Sequence, residues 1–183
     1  MALTSSLVRV AVTGVVSAAP TGTAAPTSSS VALNASFVDL GYVGEEGVVE
    51  SRERSTSDIK AWQNADVVRT VVTDGKATFS LTLIESSKPV IELVYGAVTT
   101  GASATDGKIT VIPTATGGRK SFVIDVVDGA EKKRIYIPQG EVTETGDITY
   151  ASGEPIGYPI VITAYSDATL GGSYAFWSTA LKV

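Results

Sequence analysis

The stretch Thr78-Phe79-Ser80-Leu81-Thr82-Leu83 alternates strictly between polar and apolar side chains. Because successive side chains of a β-strand point to opposite faces of a sheet, this period of two predicts a strand with one face in a core. The alternation recurs at Phe122 to Val126 and Ile160 to Ala164, and weaker strand candidates include Lys108 to Ile112 and Asp147 to Tyr150. We predict a mainly β fold of about eight to ten strands, with two packed antiparallel sheets in a sandwich or barrel-like arrangement.

Two Asp-Gly pairs and one helical segment separate the predicted strands. Asp74-Gly75 and Asp128-Gly129 have the composition of tight hairpin turns, so each is predicted to join two neighbouring strands. From Ser87 to Gly96, a candidate capping serine, Pro89 and apolar residues at helical spacing are followed by a terminating glycine. This segment is predicted to be one short helix that flanks the sheets and packs across their open end.

The composition indicates one folded domain over residues 1–183. The chain is 44% hydrophobic and 18% charged, which is too apolar for a disordered protein. It has no cysteine, so it has neither disulfides nor thiolate metal ligands, and a reducing compartment suits it. The first 19 residues lack the cationic start of a secretory signal, and no run reaches the roughly 18 apolar residues of a membrane span. An intracellular protein without membrane association is expected.

Two segments are expected to be extended and loosely held. The first is the Pro-, Thr-, Ala- and Ser-rich stretch Ala18 to Ser30, which lies in an extended N-terminal segment, residues 1–36, that also contains a strand candidate from Leu7 to Val16. Gly44 to Ala65 is predicted to be a long inter-strand loop with a dense run of polar residues. Loops longer than about 12 to 15 residues are usually functional or disordered. We therefore expect the second segment to be mobile in the free chain and to become ordered when a partner covers it.

The sequence lacks the side chains on which most catalytic sites depend. It contains no histidine and no cysteine. Gly101 to Thr105 starts like a nucleophile elbow but lacks its closing glycine, and Gly101 to Lys108 lacks the spacing and the Ser or Thr of a phosphate-binding loop. Asp125 and Asp128 are too few oxygen ligands for a calcium loop. We expect no enzyme and no catalytic, cofactor or metal site; a carboxylate-only enzyme is a distant alternative.

The charge is distributed unevenly along the chain. The net charge is −5, and the region from Ile135 to Leu181 carries five acids and no lysine or arginine. An acidic protein without a basic stripe lacks the electrostatic signature of tight nucleic-acid binding. If DNA is near this protein, we expect it to be bound weakly or not at all.

The chain is similar to a known family along most of its length. The stretches that carry the similarity are Phe37 to Val43, Glu46 to Val48, Glu50 to Glu53, Ile59 to Gln63 and Val67 to Arg69. They resemble the major tail proteins of long, non-contractile-tailed phages of actinobacteria. The resemblance covers roughly residues 7 to 180 and is densest from Phe37 to Gly96. It implies a tail tube protein with two packed β-sheets and a flanking helix, which forms rings of six subunits that stack into a hollow tube for the genome.

The resemblance also implies which segments make contacts. In such a family, a long loop between two early strands contacts the neighbouring ring together with the chain termini, and here that loop is Gly44 to Ala65. We expect Trp62 to be its apolar anchor. The expected inter-ring contacts are Glu45, Glu46, Glu50, Arg52, Arg54, Asp58, Lys60 and Trp62.

A second hypothesis concerns the acids of the C-terminal part. We expect some of Glu141, Glu144, Asp147 and Glu154 to face the lumen, where six copies would repel phosphates and let DNA slide without specific binding. Period two allows at most alternate strand residues to do so. The outer wall is the other location that the sequence allows for them.

The resemblance implies partners as well. They are the protein itself and other tail proteins such as the tape measure, tail tip and terminator, in a virion tail made in the host bacterial cytoplasm. The alternative is a β-sandwich module for virion surface decoration or binding. That alternative needs neither the segment Gly44 to Ala65 nor the helix that follows it.

Overall fold

The computed structural model describes residues 7–101, 103 and 105–181, which form an antiparallel β structure with one α-helix. The strands are β1 (Thr13–Pro20), β2 (Val38–Asp39), β3 (Val43–Lys60), β4 (Val67–Leu83), β5 (Lys120–Asp128), β6 (Glu131–Thr145), β7 (Tyr158–Ala164) and β8 (Ala175–Ser178). They form one sheet in the order β2-β1-β5-β6-β7-β4-β3, and β8 pairs with β6. The predicted mainly β class is confirmed.

The long strand β6 joins the two halves of this sheet. Its first part pairs with β5 and β8, and from Gly140 onwards it pairs with β7. Gly140 lies where the halves meet, and a Cβ atom there would come within 2.5 Å of the Phe122 ring. Phe122 from β5 and Phe79 from β4 belong to one buried cluster. The sheet therefore folds over on itself and encloses a single core.

The predicted helix is confirmed as α1 (Lys88–Val94). Ser87 occupies the N-cap position, and Pro89 lies in the first turn, where its missing N–H costs no helical hydrogen bond. The helix buries Val90, Leu93 and Val94 against the core. No helix in the described part of the chain is long and apolar enough to cross a membrane.

The two Asp-Gly predictions have different outcomes. Asp128-Gly129 does join two strands, and Gly129 adopts a φ of 59° between β5 and β6. The prediction for Asp74-Gly75 is wrong, because both residues lie inside β4. They stand opposite Ser55 and Arg54, beside a register shift in the β3–β4 ladder. The pair marks a β-bulge here, since a bulge requires the same local freedom as a turn.

The segment Gly44 to Ala65 was expected to be a loop, and that expectation is also wrong. Most of it is strand β3, which pairs with β4 as a long hairpin. The turn lies beyond β3, where Asn64 and Ala65 both have positive φ angles of 62° and 55°. Exposed polar residues on both faces of a strand lack the simple alternation by which strands are identified. The strands expected at Lys108 to Ile112 and Asp147 to Tyr150 are absent from the structure.

The stretch Ala18 to Ser30 is held more firmly than its composition suggested, and the strand expected from Leu7 to Val16 begins only at Thr13. Residues 13–20 form β1, whereas residues 1–6 lie outside the described residues. Arg134 on β6 donates hydrogen bonds to the carbonyl oxygens of Ser28 and Val31, at 3.0 and 2.6 Å. The connection between β1 and β2 is therefore fastened to the sheet by a side chain more than one hundred residues away.

Candidate assembly surface

The outer part of the β3–β4 hairpin, residues 53–75, extends away from the core, and we call it the arm. All its side chains are exposed or half-buried. Strand β7 pairs with β4 only as far as Ala77, so the arm is a ribbon of two strands. At about 3.4 Å per residue, its strand from Glu53 to Lys60 extends roughly 27 Å. An isolated two-stranded ribbon is marginally stable in water, so the arm has the properties of a segment that a partner covers.

The arm carries large apolar side chains that face solvent. Trp62 in the turn is 99% exposed, and its neighbours add apolar surface. The other exposed apolar residues of the arm are Ile59, Val67, Val68 and Val72. Single exposed apolar residues are ordinary, but five large ones on a ribbon of 23 residues favour an interaction site. Trp62 therefore has the exposure that its expected role as an anchor requires.

The structure divides the eight expected inter-ring residues into three groups. Glu45 and Glu46 lie in the body, in the irregular part of β3 between Val43 and Val48. Glu50 and Arg52 lie at the base of the arm. Arg54, Asp58, Lys60 and Trp62 lie on the arm itself. All eight belong to β3 and the turn that follows it.

The polar arm residues make few contacts within the subunit. The carboxylate of Asp58 accepts a hydrogen bond of 2.6 Å from the hydroxyl of Thr70 on the opposite strand. Among the described residues, Arg54 and Lys60 make no ion pair within 4.0 Å. Their charges are therefore available to a partner.

Glu50 differs from the other arm-base residues because its carboxylate is bound on three sides. The hydroxyl of Tyr174 donates to Oε1 at 2.6 Å. Arg52 Nε lies 3.5 Å from Oε1, and Lys133 Nζ lies 3.6 Å from Oε2. Burial raises the pKa of the Tyr174 phenol, and its hydrogen bond to the Glu50 carboxylate and the charge of that carboxylate raise it further.

Sequence reasoning did not identify Tyr174 or Lys133 as partners of Glu50. Tyr174 is 124 residues from Glu50. Strand periodicity predicts which side of a strand a residue faces, but it does not predict which distant strand lies opposite. Only the pairing of β8 with β6 brings these side chains to the base of the arm.

The four acids expected near the lumen occupy one end of β6 and the connection after it. Glu141 and Glu144 pair with Thr163 and Val161, which are two residues apart on β7, so both glutamates lie on the face away from the core. Asp147 and Glu154 lie in the connection to β7. Glu141 accepts a hydrogen bond from the hydroxyl of Thr116, whereas the other three side chains are exposed. All four acids therefore lie outside the core, and we refer to them together as the acidic surface.

A cleft of about 690 Å³ lies between β1 and the start of β3. Three of the four carboxylates that line it bind other parts of the protein. Asp39 accepts the backbone N–H of Gly41, Glu85 accepts that of Tyr42, and Asp125 is paired with Arg134. No group of three or more potential metal-ligating side chains is present among residues 7–101, 103 and 105–181. The cleft therefore has the features of a structural joint between two strands.

Similarity to known proteins identifies the family of this chain. A family model described as phage tail tube protein matches residues 1–181. No curated protein matches the chain. A structure described as the virion of a native gene transfer agent particle has a TM-score of 0.41 and 11% identity, and the match covers 80% of this chain and 92% of that one. A crystal structure of Hcp protein has a TM-score of 0.35 and 9% identity, with 89% and 96% covered. Because the family model spans nearly the whole chain, this protein belongs to the phage tail tube protein family.

Proposed function

We propose that this protein is the structural subunit of a phage tail tube, in which rings of six copies stack into the conduit for DNA. The observation that carries the proposal is the arm, a ribbon exposed on both faces with a fully exposed Trp62 in its turn. A two-stranded ribbon with exposed apolar side chains is only marginally stable in a monomer, and contact with a second copy would stabilise it. Membership of the phage tail tube protein family supports the presence of a second copy, because a tube consists of repeated subunits. A long, non-contractile tail of an actinobacterial phage is the specific setting that the resemblance of residues 37–96 favours.

In this proposal the arm contacts the neighbouring ring. Trp62 inserts as the apolar anchor, while Arg54, Asp58 and Lys60 meet polar groups of the next subunit. Buried aromatic side chains with charged groups around them are typical of residues that dominate interface energies. Other tail proteins, such as the tape measure, tail tip and terminator, would meet the ends or the lumen of the same tube.

The acidic surface suits a conduit that does not bind its cargo. Six copies of Glu144 and Asp147 around a channel would superpose their potentials and repel phosphates. We propose the lumen as their location. The protein then needs no cofactor and no specific DNA contact, and its work is mechanical.

A surface decoration or binding module remains the second candidate. Its core would be the same β structure, but it would not need an exposed ribbon of 23 residues. The arm favours the tube, because an arm on a decoration module would remain in solvent.

Negative-stain electron microscopy of the purified protein tests the proposal. Wild-type protein at increasing concentration should form hollow tubes of constant diameter. A variant in which residues 53–75 are replaced by a short Gly-Ser turn should keep its β circular dichroism and form no tubes. A control variant that lacks the exposed residues 105–107 should still form them. If the protein without its arm assembled as well as the wild type, the arm would not be the stacking element.

A further inference from the structure

The arm leaves the body at a defined point. Strand β4 pairs with β7 from Leu83 to Ala77, and beyond Ala77 it has only β3 beside it. A ribbon that leaves a sheet in this way can pivot, because backbone pairing on one side does not resist bending out of the sheet plane. The direction in which the arm extends must therefore be fixed by side-chain contacts near this point.

Glu50 lies on the body side of the point at which the arm leaves the sheet. It pairs across the ladder with Phe79, whose ring is fully buried. The Phe79 ring contacts Tyr174 edge to face, with centroids 5.3 Å apart and planes at 87°. Tyr174 then donates its hydroxyl to Glu50. The three side chains form a closed triangle that joins the base of the arm to the residue before β8.

The charged partners extend this triangle to a third strand. Lys133 on β6 lies between Glu50 and the ring of Phe176, whose centroid is 4.9 Å from the ammonium nitrogen. A hydrogen bond to an ionised acceptor is roughly twice as strong as a neutral one, and networks exceed isolated surface pairs. We call Glu50, Phe79, Lys133 and Tyr174 the Glu50 cluster. It ties β3 and β4 to β6 and to the segment leading into β8, which are not their neighbours in the sheet.

We propose that Glu50 is a positioning residue that fixes the direction of the arm on the body and thereby determines where the arm meets a second copy. The first half of this statement concerns the single chain, and only the second half rests on the proposed function. In the subunit, the Glu50 carboxylate is bound by its own chain, so its role differs from that of an exposed contact residue such as Lys60.

The chain has no cysteine, so two introduced cysteines can carry spin labels without background reaction. We would label Ser57 on the arm and Thr145 on the body, both of which are exposed strand residues. Pulsed electron paramagnetic resonance on unassembled protein gives the distribution of distances between the labels. The labelled wild type should give one narrow distribution. Glu50→Gln and Tyr174→Phe should each broaden it at least about twofold, because each removes part of the triangle while keeping the side chain's shape.

Glu53→Gln is the matched control, since Glu53 is exposed and makes no ion pair among the described residues. It should leave the distribution unchanged. Thermal unfolding of each variant separates loss of direction from loss of fold, and Tyr174→Phe, which retains the ring contact with Phe79, keeps the test valid if Glu50→Gln unfolds. Equal widths in the wild type and in folded variants would overturn the inference. Failure of the wild type to form tubes would instead overturn the proposed function and leave the distance result standing.

Discussion

Arg134 and Asp125 face each other across the β5–β6 ladder, and the guanidinium donates two hydrogen bonds of 2.7 and 2.8 Å to the carboxylate. The Arg134 side chain is only 8% exposed, and its Nη1 donates to the carbonyl groups of Ser28 and Val31. This one side chain therefore links the sheet to the connection between β1 and β2. Its removal leaves a partly buried carboxylate and two carbonyl groups without partners.

Arg134→Met should accordingly destabilise the fold by about 3 kcal/mol, the lower end of the range for breaking a buried pair, because Asp125 retains some solvent. Urea unfolding followed by circular dichroism measures this. The double variant Arg134→Met with Asp125→Leu should recover part of the loss, since no charge is then left unpaired. Amide exchange of residues 21–37 should accelerate in both variants. A single variant as stable as the wild type would mean that the pair is energetically neutral.

Trp62→Ala should weaken tube formation and leave the fold unchanged. Trp62 is 99% exposed, so its truncation should change the free energy of unfolding by less than about 0.5 kcal/mol. Loss of a buried interface aromatic typically costs 2 kcal/mol or more, so the protein concentration needed for tubes should rise about thirtyfold. Light scattering during dilution gives that concentration. Val98→Ala, an exposed apolar change away from the arm, is the control. If Trp62→Ala unfolded the protein, the residue would have a structural role.

Hydrogen exchange should distinguish the arm from the rest of the sheet. In the free subunit, amides of residues 53–75 should exchange far faster than those of β5 and β7, because the ribbon has no buried face. In assembled tubes the same amides should become protected. Mass spectrometry after brief deuteration of both forms provides the comparison. Equal protection in the two forms would show that the arm is not covered on assembly.

Alkaline pH should weaken the base of the arm. The pKa of Tyr174 is raised in the folded protein, chiefly by burial and then by its bond to Glu50. A raised folded pKa contributes stability that is present below the unfolded pKa of about 10 and is lost as pH rises through the folded value. The wild type should therefore lose stability above pH 10 more steeply than Tyr174→Phe. The pKa of Tyr95 is also raised, first by its hydrogen bond with Tyr150. The stability of Tyr174→Phe should therefore still fall with rising pH, but less steeply than that of the wild type. Parallel slopes would exclude a contribution from Tyr174.

Charge reversal tests the location of the acidic surface. Glu144→Lys with Asp147→Lys should leave tubes intact, since both side chains are exposed in the subunit. If they line the lumen, DNA should adhere to the variant tubes with an affinity that falls steeply as salt rises. Filter binding of labelled DNA at several salt concentrations measures this. Asp106→Lys is the control for added charge elsewhere. Tubes that bind DNA only along their outer surface in micrographs would place these acids on the outer wall.

Local sequence patterns correctly predicted those strands and helices whose formation depends on residues close together in the chain. The alternation at Phe79 and Leu81 identified buried strand residues, and Pro89 with Gly96 located the helix. The turn predicted at Asp74-Gly75 is wrong because a β-bulge and a tight turn favour the same residue types. The length of β3 was missed because a ribbon without a buried face has no alternating pattern.

The expected contact residues lie only in part on the projecting element. The arm carries Arg54, Asp58, Lys60 and Trp62, whereas the body and the arm base carry Glu45, Glu46, Glu50 and Arg52. The contact of these residues with a second copy stays a prediction. The Glu50 cluster was missed, because Glu50 and Tyr174 meet only through the pairing of β6 with β8. The pairing of distant strands and its register depend on how the whole core packs, and no local sequence pattern contains that information.

The three register shifts in the β3–β4 ladder, at Val43/Val48, Ser55/Thr56 and Ile59/Lys60, affect how the subunit behaves when it is abundant. β3 is the last strand of the sheet, and a flat free edge of 18 residues would recruit further strands without limit. The first shift adds residues to β3 itself, and the other two each add one residue to β4, so the ribbon is bent and locally more twisted instead of flat. A bent and twisted edge disfavours the strand-by-strand addition that builds a fibril, so we expect the irregular pairing to protect a concentrated pool of subunits from amyloid-like growth.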